Sequence, residues 1–221
     1  MLKRLCAAML LVAASAAMAP ALAQTQPADA QYEADIARRA DGVLDVLKLE
    51  DPAKAARVKE ALVTQYRSLR DLHDGRDAKL KSVAKVDKAQ AEKIKDETAA
   101  AVKKLHDQFV ANLDKELTSE QVEQVKDKMT YNVVTLTYDG FCDMIPELTE
   151  TQKAYILAQL KEARELAMDG GSSKEKHAVF GKYKGRINNY LSKEGYDLKK
   201  ANKEWAERRK ARESKATQPA L

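Results

Sequence analysis

The side chains that most often bind metals or act as nucleophiles are few and scattered in this chain. Its three histidines, His73, His106 and His177, are far apart, and none has a second His or Cys at the spacing of a metal site. No G-x-S-x-G element, glycine-rich phosphate loop or neighbouring Cys/His pair occurs. The sequence therefore predicts no metal, no cofactor and no catalytic residue. An enzymatic interpretation would require two carboxylates that only folding brings together.

Aromatic side chains are concentrated towards the C-terminus. Nine of the twelve Phe, Tyr and Trp residues follow residue 130, and within 181–190 tyrosines alternate with Lys, Arg and Asn. An aromatic ring stacks on the apolar face of a sugar, while amide, guanidinium and ammonium groups bond its hydroxyls. We therefore predict a ligand site on the solvent side of this segment, formed by Lys182, Arg186 and Asn189, with Tyr196 or Trp205 as a stacking wall.

The same segment also has a structural interpretation. Large residues at helical spacing predict a buried face: Phe180, Tyr183, Ile187, Tyr190 and Leu191. A second stripe, of small residues, favours close packing against another helix over contact with a ligand: Gly181, Gly185, Asn188 and Ser192.

Helical periodicity runs through almost the whole chain, and only 8 Gly and 5 Pro interrupt it. It predicts an all-α fold of about seven helices. One helix begins at Asp51-Pro52 and ends at 73–75, and the next extends from Leu80 to Leu113 as a long rod. Two capping boxes predict later helix starts, at Thr118/Gln121 and at Thr149/Gln152.

The segment between these two capping boxes is ambiguous. Apolar residues keep helical period from Val122 to Met144, which predicts one continuous helix. A β-branched cluster at 133–137 leaves a strand over 131–140 open. Further on, Gly195 predicts the end of the aromatic helix.

The N-terminus has the pattern of a secretory signal peptide over 1–23. Lys3 and Arg4 precede an apolar stretch from Leu5 to Ala19, and an A-x-A site follows before Gln24. We expect export to the periplasm or the medium, with no transmembrane segment after cleavage. The mature chain then keeps one cysteine, Cys142, which is either a buried small hydrophobe or available for an intermolecular bridge.

Turn spacing and the lack of long linkers predict a single all-helical domain over 24–213. The first part of this domain, 24–116, is an extended helical arm in the form of a long hairpin. The second part, 117–213, is a compact aromatic-rich bundle. A disordered tail follows at 214–221. The arm alternates acids with lysines, and loss of Lys3 and Arg4 with the signal peptide lowers the net charge from +5 to +3, so no nucleic-acid partner is expected. Its amphipathic rod is compatible with a homodimer.

Several segments resemble an uncharacterised family of secreted bacterial helical proteins, a domain of unknown function. The resemblance covers roughly Asp29 to Arg209, and its most specific run is Gly181-Lys182-Tyr183-Lys184-Gly185-Arg186-Ile187-Asn188-Asn189-Tyr190-Leu191. Other matching segments are Met129–Val134, Met144–Pro146, Lys161–Glu165, Ala167–Asp169 and Gly195–Asp197. The resemblance implies sugar binding and no catalytic residue.

A second, shorter resemblance concerns the two Leu-Thr-x-x-Gln motifs at Leu117–Gln121 and Leu148–Gln152. They are similar to the motif of small helical periplasmic chaperones related to Spy and CpxP, which implies holding of unfolded clients on a concave surface. The chain departs from that family in its length, its Lys-rich arm and its aromatic C-terminal segment. The first hypothesis is thus a non-catalytic exported protein that binds carbohydrate through its C-terminal bundle, and the alternative is a chaperone-like or structural envelope protein.

Overall fold

The chain is built from α-helices joined by short turns. The computed structural model describes residues 27–83 and 85–216, and within these ranges it contains eight helices and no strand. This confirms the all-α class. The helices are α1 (Pro27–Leu47), α2 (Pro52–Val83), α3 (Lys88–Asp114), α4 (Ser119–Met129), α5 (Val133–Met144), α6 (Glu150–Met168), α7 (Ser173–Lys193) and α8 (Leu198–Ala216).

The capping signals act as predicted. The Thr118 hydroxyl accepts from the Gln121 N–H while the Gln121 side chain accepts from the Thr118 N–H, and Thr149 and Gln152 repeat this arrangement at the start of α6. At the end of α7, Gly195 has φ +98°, the left-handed conformation that a C-terminal glycine supplies.

Two predicted helix boundaries are wrong. The second helix does not end at 73–75 but continues to Val83, since one interior glycine, Gly75, costs only about 1 kcal/mol and packing of α2 along α3 outweighs it. The next helix therefore starts late, at Lys88, where the Asp87 carboxylate caps the Gln90 N–H.

The predicted continuous helix from Val122 to Met144 is also interrupted. It divides into α4 and α5 at Tyr131 and Asn132, which have φ +59° and +55°. Buried Thr130 precedes this turn, and its hydroxyl donates to the carbonyls of Lys126 and Asp127. The residues for which a strand was left open are helical from Val133 onwards.

Hydrophobic side chains form two clusters. The first, here called the arm core, consists of residues from α1 to α4 and the end of α6: Ile36, Ala40, Val43, Leu47, Val58, Leu62, Val63, Tyr66, Phe109, Leu113, Leu117, Val122, Val125, Met129 and Met168. The second, the bundle core, is Val134, Phe141, Ile145, Leu148, Ile156, Leu160, Ala163, Ala167, Phe180, Tyr183, Ile187 and Leu191. The predicted burial of the large stripe on α7 is confirmed, except that Tyr190 is only partly buried.

The boundary between the two cores differs from the predicted division at 116/117. Helix α4 packs with the arm, because Val122, Val125 and Met129 face α1. The cores separate instead at the left-handed turn of 131–132. Away from the arm core, the α2–α3 hairpin is thinly packed: towards its tip, Ala91 and Ile94 are buried while Val86 is 84% exposed.

One buried charge joins the two cores. Arg164 of α6 is 2% exposed, and its guanidinium donates to both carboxylate oxygens of Glu123 at 2.8 Å and to Asp127 at 2.7 Å, both on α4. Burial lowers the pKa of Arg164, but the hydrogen bonds that it donates to Glu123 and Asp127 outweigh this effect and leave the pKa raised. Arg164 thus stays charged and holds α4 against α6.

Two of the sequence predictions concern the two ends of the chain. The predicted signal peptide, 1–23, lies outside the described residues, and so do residues 217–221 of the predicted tail, whereas 214–216 belong to α8. No helix in the described ranges is long and apolar enough to cross a bilayer.

Cys142 is a free thiol, half-buried against the bundle core.

The stripe of small residues on α7 does not pack against another helix as predicted. Gly181 and Gly185 are exposed, and a Cβ on either would meet no atom within 4 Å. The large residues on the opposite face bury α7 instead, which leaves this stripe towards solvent.

Replacing both glycines should therefore stabilise the protein. In the middle of a helix, glycine destabilises the folded state by roughly 0.5–1 kcal/mol relative to alanine. For the double variant Gly181→Ala with Gly185→Ala, we therefore expect the unfolding free energy to rise by about 1–2 kcal/mol. Urea denaturation followed by circular dichroism measures this change. A loss of stability would mean that another backbone packs on the stripe.

Candidate functional site

The structure places the site residues predicted from the sequence on α7, in the turn after it and on α8. Lys182, Arg186 and Asn189 lie on the exposed face of α7, where Arg186 covers the ring of Tyr183 at 4.3 Å. Tyr196 lies beyond the end of α7 at Lys193, whereas Lys182 lies eleven residues before that end, roughly 16 Å along the helix axis.

The two predicted stacking residues already have structural partners. The Tyr196 hydroxyl donates to Gln152 Oε1 at 2.8 Å, and Trp205 Nε1 donates to Asp143 Oδ2 at 2.7 Å. These bonds hold the α7–α8 turn on α6, and α8 on α5. Both side chains thus serve the packing of the bundle.

A concave surface is found instead where α7 begins. Two adjoining cavities of about 260 and 300 Å³ share Arg39, Tyr66 and Lys176. The first is completed by Arg38, Gly42, Lys128, Met129 and Tyr131, and the second by Tyr32, Leu69, Arg70 and residues 170–173. We refer to these lining residues together as the tyrosine–cation cleft.

The two cores position the cleft. Ile36, Ala40 and Val43 are buried in the arm core, and this fixes the rotation of α1 about its own axis. Arg39 therefore lies at the exposed edge of that core. Tyr66 belongs to that core on α2, and Lys128 comes from the last turn of α4. The cleft therefore depends on the packing of α1, α2 and α4 as well as on α7.

Tyr131 enters the cleft from the left-handed turn between α4 and α5. Its ring stacks on that of His177 with 5.8 Å between centroids and 17° between planes. A left-handed backbone costs a non-glycine residue about 1–3 kcal/mol, and such strain clusters at binding sites. The turn holds an aromatic ring at the cleft in spite of this cost.

Tyr66 is the polar group at the centre of the cleft. It is 8% exposed and lines both cavities, but its hydroxyl makes no hydrogen bond with any described residue. Burial raises the pKa of Tyr66 to about 12, so the phenol is neutral at ordinary pH. A neutral hydroxyl both donates and accepts, and here this capacity is unused.

Lys176 is the most buried cation of the cleft, at 5% exposed. Its ammonium donates to the carbonyls of Met168 at 2.8 Å and Met129 at 3.4 Å, and it has no ion pair within the described ranges. Burial lowers the pKa of Lys176 to about 8, which leaves it largely charged at neutral pH. Since an ammonium has three N–H donors, one is left for a ligand.

The turn between α6 and α7 forms one wall of the cleft and is tied to the arm. His73 of α2 bonds the Asp169 carbonyl through Nε2 at 2.7 Å, and His106 of α3 lies 2.9 Å from the Asp169 carboxylate through Nδ1. A Cβ on Gly171 would come within 2.7 Å of the His73 ring, so a glycine is required there. Asp169 and Gly171 thus fix the wall against two helices of the arm.

Sequence reasoning missed the cleft, although one signal was present. Lys176 precedes Phe180, Tyr183 and Ile187 by helical spacing, so it extends the apolar stripe of α7 with a charge. Arg164 follows Ile156 and Leu160 at helical spacing, so it likewise places a charge on the apolar stripe of α6. A cation on a buried helix face requires polar partners. Its presence in an apolar stripe therefore indicates either a buried hydrogen-bond network or a ligand-binding site.

Fold and site together define an all-helical protein with two hydrophobic cores and a cationic, tyrosine-lined cleft at their border. The chain belongs to the family described as protein of unknown function (DUF3826), whose family model matches residues 33–211. That range includes every cleft residue except Tyr32. Among curated proteins, none matches the sequence significantly. The expected membership in an uncharacterised helical family is thereby confirmed.

The close approach of Gly171 to His73 yields a stability prediction. Gly171→Ala must displace the His73 ring, so we expect the unfolding free energy to fall by about 1–3 kcal/mol. The matched control is Gly75→Ala in α2, where a Cβ meets nothing within 4 Å and stability should rise. Chemical denaturation compares the two variants, and equal effects would contradict the requirement for a glycine at 171.

The His106–Asp169 contact predicts a dependence on pH. The Asp169 carboxylate, 2.9 Å from Nδ1, raises the pKa of His106 against the opposing effect of burial. Because the folded-state pKa is raised, this stabilisation is complete below the unfolded value of about 6.5 and is lost as pH rises through the folded-state pKa. His106→Gln should therefore cost more unfolding free energy near pH 5.5 than near pH 8.5. Denaturation of both proteins at the two pH values measures it, and an equal cost would contradict the linkage.

Proposed function

We propose that the protein binds a saccharide in the tyrosine–cation cleft. The observation that carries the proposal is the Tyr66 hydroxyl, which has no partner among the described residues and belongs to a side chain that lines both cavities. A hydroxyl that faces a cavity and is not engaged by the fold can both donate to and accept from a ligand hydroxyl.

The lining of the cleft suits a sugar. The rings of Tyr32, Tyr66 and Tyr131 offer apolar faces, while Ser172 and Ser173 add hydroxyls at the second cavity. Each cavity is near the lower end of the range for small-ligand sites, about 300–1,000 Å³. Two adjoining cavities support a ligand of more than one ring.

This location differs from the sequence prediction. The predicted residues of α7, among them Lys182 and Arg186, are a competing site on an exposed surface, and they serve as controls below. Export to the periplasm or the medium, proposed from the pattern of 1–23, would place the cleft in contact with extracytoplasmic glycans.

Tyr66→Phe tests the proposal, because it removes the hydroxyl and keeps the ring. We expect stability to stay constant or rise, since the hydroxyl has no partner in the fold, while affinity for a bound oligosaccharide falls about tenfold, or about 1.4 kcal/mol. Calorimetric titration of the protein against neutral and acidic oligosaccharides identifies the bound sugar and measures both affinities.

Lys182→Ala is the matched control and should bind as the wild type does. Loss of binding in Lys182→Ala with retention in Tyr66→Phe would return the site to α7. An absence of binding to every oligosaccharide would overturn saccharide binding altogether.

The alternative function, holding of unfolded clients, has its own observation. An open groove of about 420 Å³ between α3 and α6 is lined in part by Ala99, Val102 and Leu166, and Leu166 is 56% exposed. If no saccharide binds and the protein suppresses aggregation of a denatured client at near-stoichiometric ratio, the alternative replaces the first proposal.

A further inference from the structure

The cleft contains more positive charge than the fold neutralises. Arg38 pairs with Asp35, and Arg70 pairs with Asp29. Arg39, Lys128 and Lys176 also line the cavities, and in the described part of the chain none of them has a carboxylate within ion-pair distance.

The acidic side chains around the cleft are engaged elsewhere. The Asp169 carboxylate contacts His106, and Glu175 accepts from the Gly171 N–H at 2.7 Å and from Arg76 at 3.2 Å. These two groups stabilise the α6–α7 turn and its contact with the arm. Neither group forms an ion pair with Arg39, Lys128 or Lys176 in the described part of the chain, although the Asp169 charge partly offsets the effect of burial on the pKa of Lys176.

The three cations also differ in how the structure holds them. Lys176 is fixed by two backbone carbonyls in the interior, and Lys128 passes over Gly42, where a Cβ would lie 4.0 Å from its Cε. Arg39 lies at the rim, 5.9 Å over the ring of Tyr66. A ligand that reaches Tyr66 thus meets the Arg39 guanidinium over the ring and the lysines that line the same cavities.

We infer that the saccharide taken by the cleft is acidic, with a carboxylate or sulfate group bound between Arg39 and Lys176 and approached by Lys128. The inference rests on the proposed saccharide function and specifies its substrate class. A guanidinium binds two oxygens of such a group at once, and a buried ammonium adds a charge-assisted bond. A neutral sugar would leave all three cations unpaired.

The experiment compares ligands that differ only in charge. Oligogalacturonate and its fully methyl-esterified form have the same backbone, and a sulfated neutral oligosaccharide separates sulfate from carboxylate recognition. We expect an acidic ligand to bind at least tenfold more tightly than its neutral form, and the preference to shrink as salt concentration rises. Calorimetric titration at low and high salt measures both effects.

Arg39→Gln should reduce affinity for the acidic ligand about tenfold and leave affinity for the ester unchanged. Arg186→Gln, which removes an exposed cation on α7, is the matched control and should change neither. Equal affinity for acid and ester, or an equal effect of Arg39→Gln on both, would overturn the inference and leave saccharide binding intact. Failure of the whole panel to bind would overturn both proposals.

Discussion

The structure depends on a charge buried between its two cores. Arg164 has almost no contact with solvent, so its guanidinium must find carboxylates, and Glu123 and Asp127 supply them from α4. This requirement fixes α4 of the arm against α6 of the bundle. The end of α6, and with it the start of α7, is thereby placed beside α1 and α2, where the tyrosine–cation cleft forms.

The turn at Tyr131 and Asn132 separates the cores at the same border. Because both residues are left-handed, α4 ends and α5 leaves in a new direction, which frees α4 to pack with the arm. The same turn places Tyr131 on His177. One strained segment thus both divides the fold and supplies an aromatic ring to the proposed site.

Local signals in the sequence predicted local structure well. The structure contains the two predicted capping boxes, the buried stripe of α7 and the helix end at Gly195. Each of these features depends only on residues that lie a few helical turns apart or less along the chain. The continuity of helices was predicted poorly. Gly75 did not end α2, whereas the periodic segment around Tyr131 was broken, since packing between helices overrides weak local preferences.

The all-helical class, most helix starts and the core face of α7 can be predicted from the amino-acid sequence, because helical spacing and capping depend on near neighbours. The position of the proposed site cannot be predicted in this way. Arg39, Tyr66, Tyr131 and Lys176 come from four elements, and no spacing along the chain relates them. Their juxtaposition follows from the packing of two cores around a buried arginine, which is a long-range property of the fold.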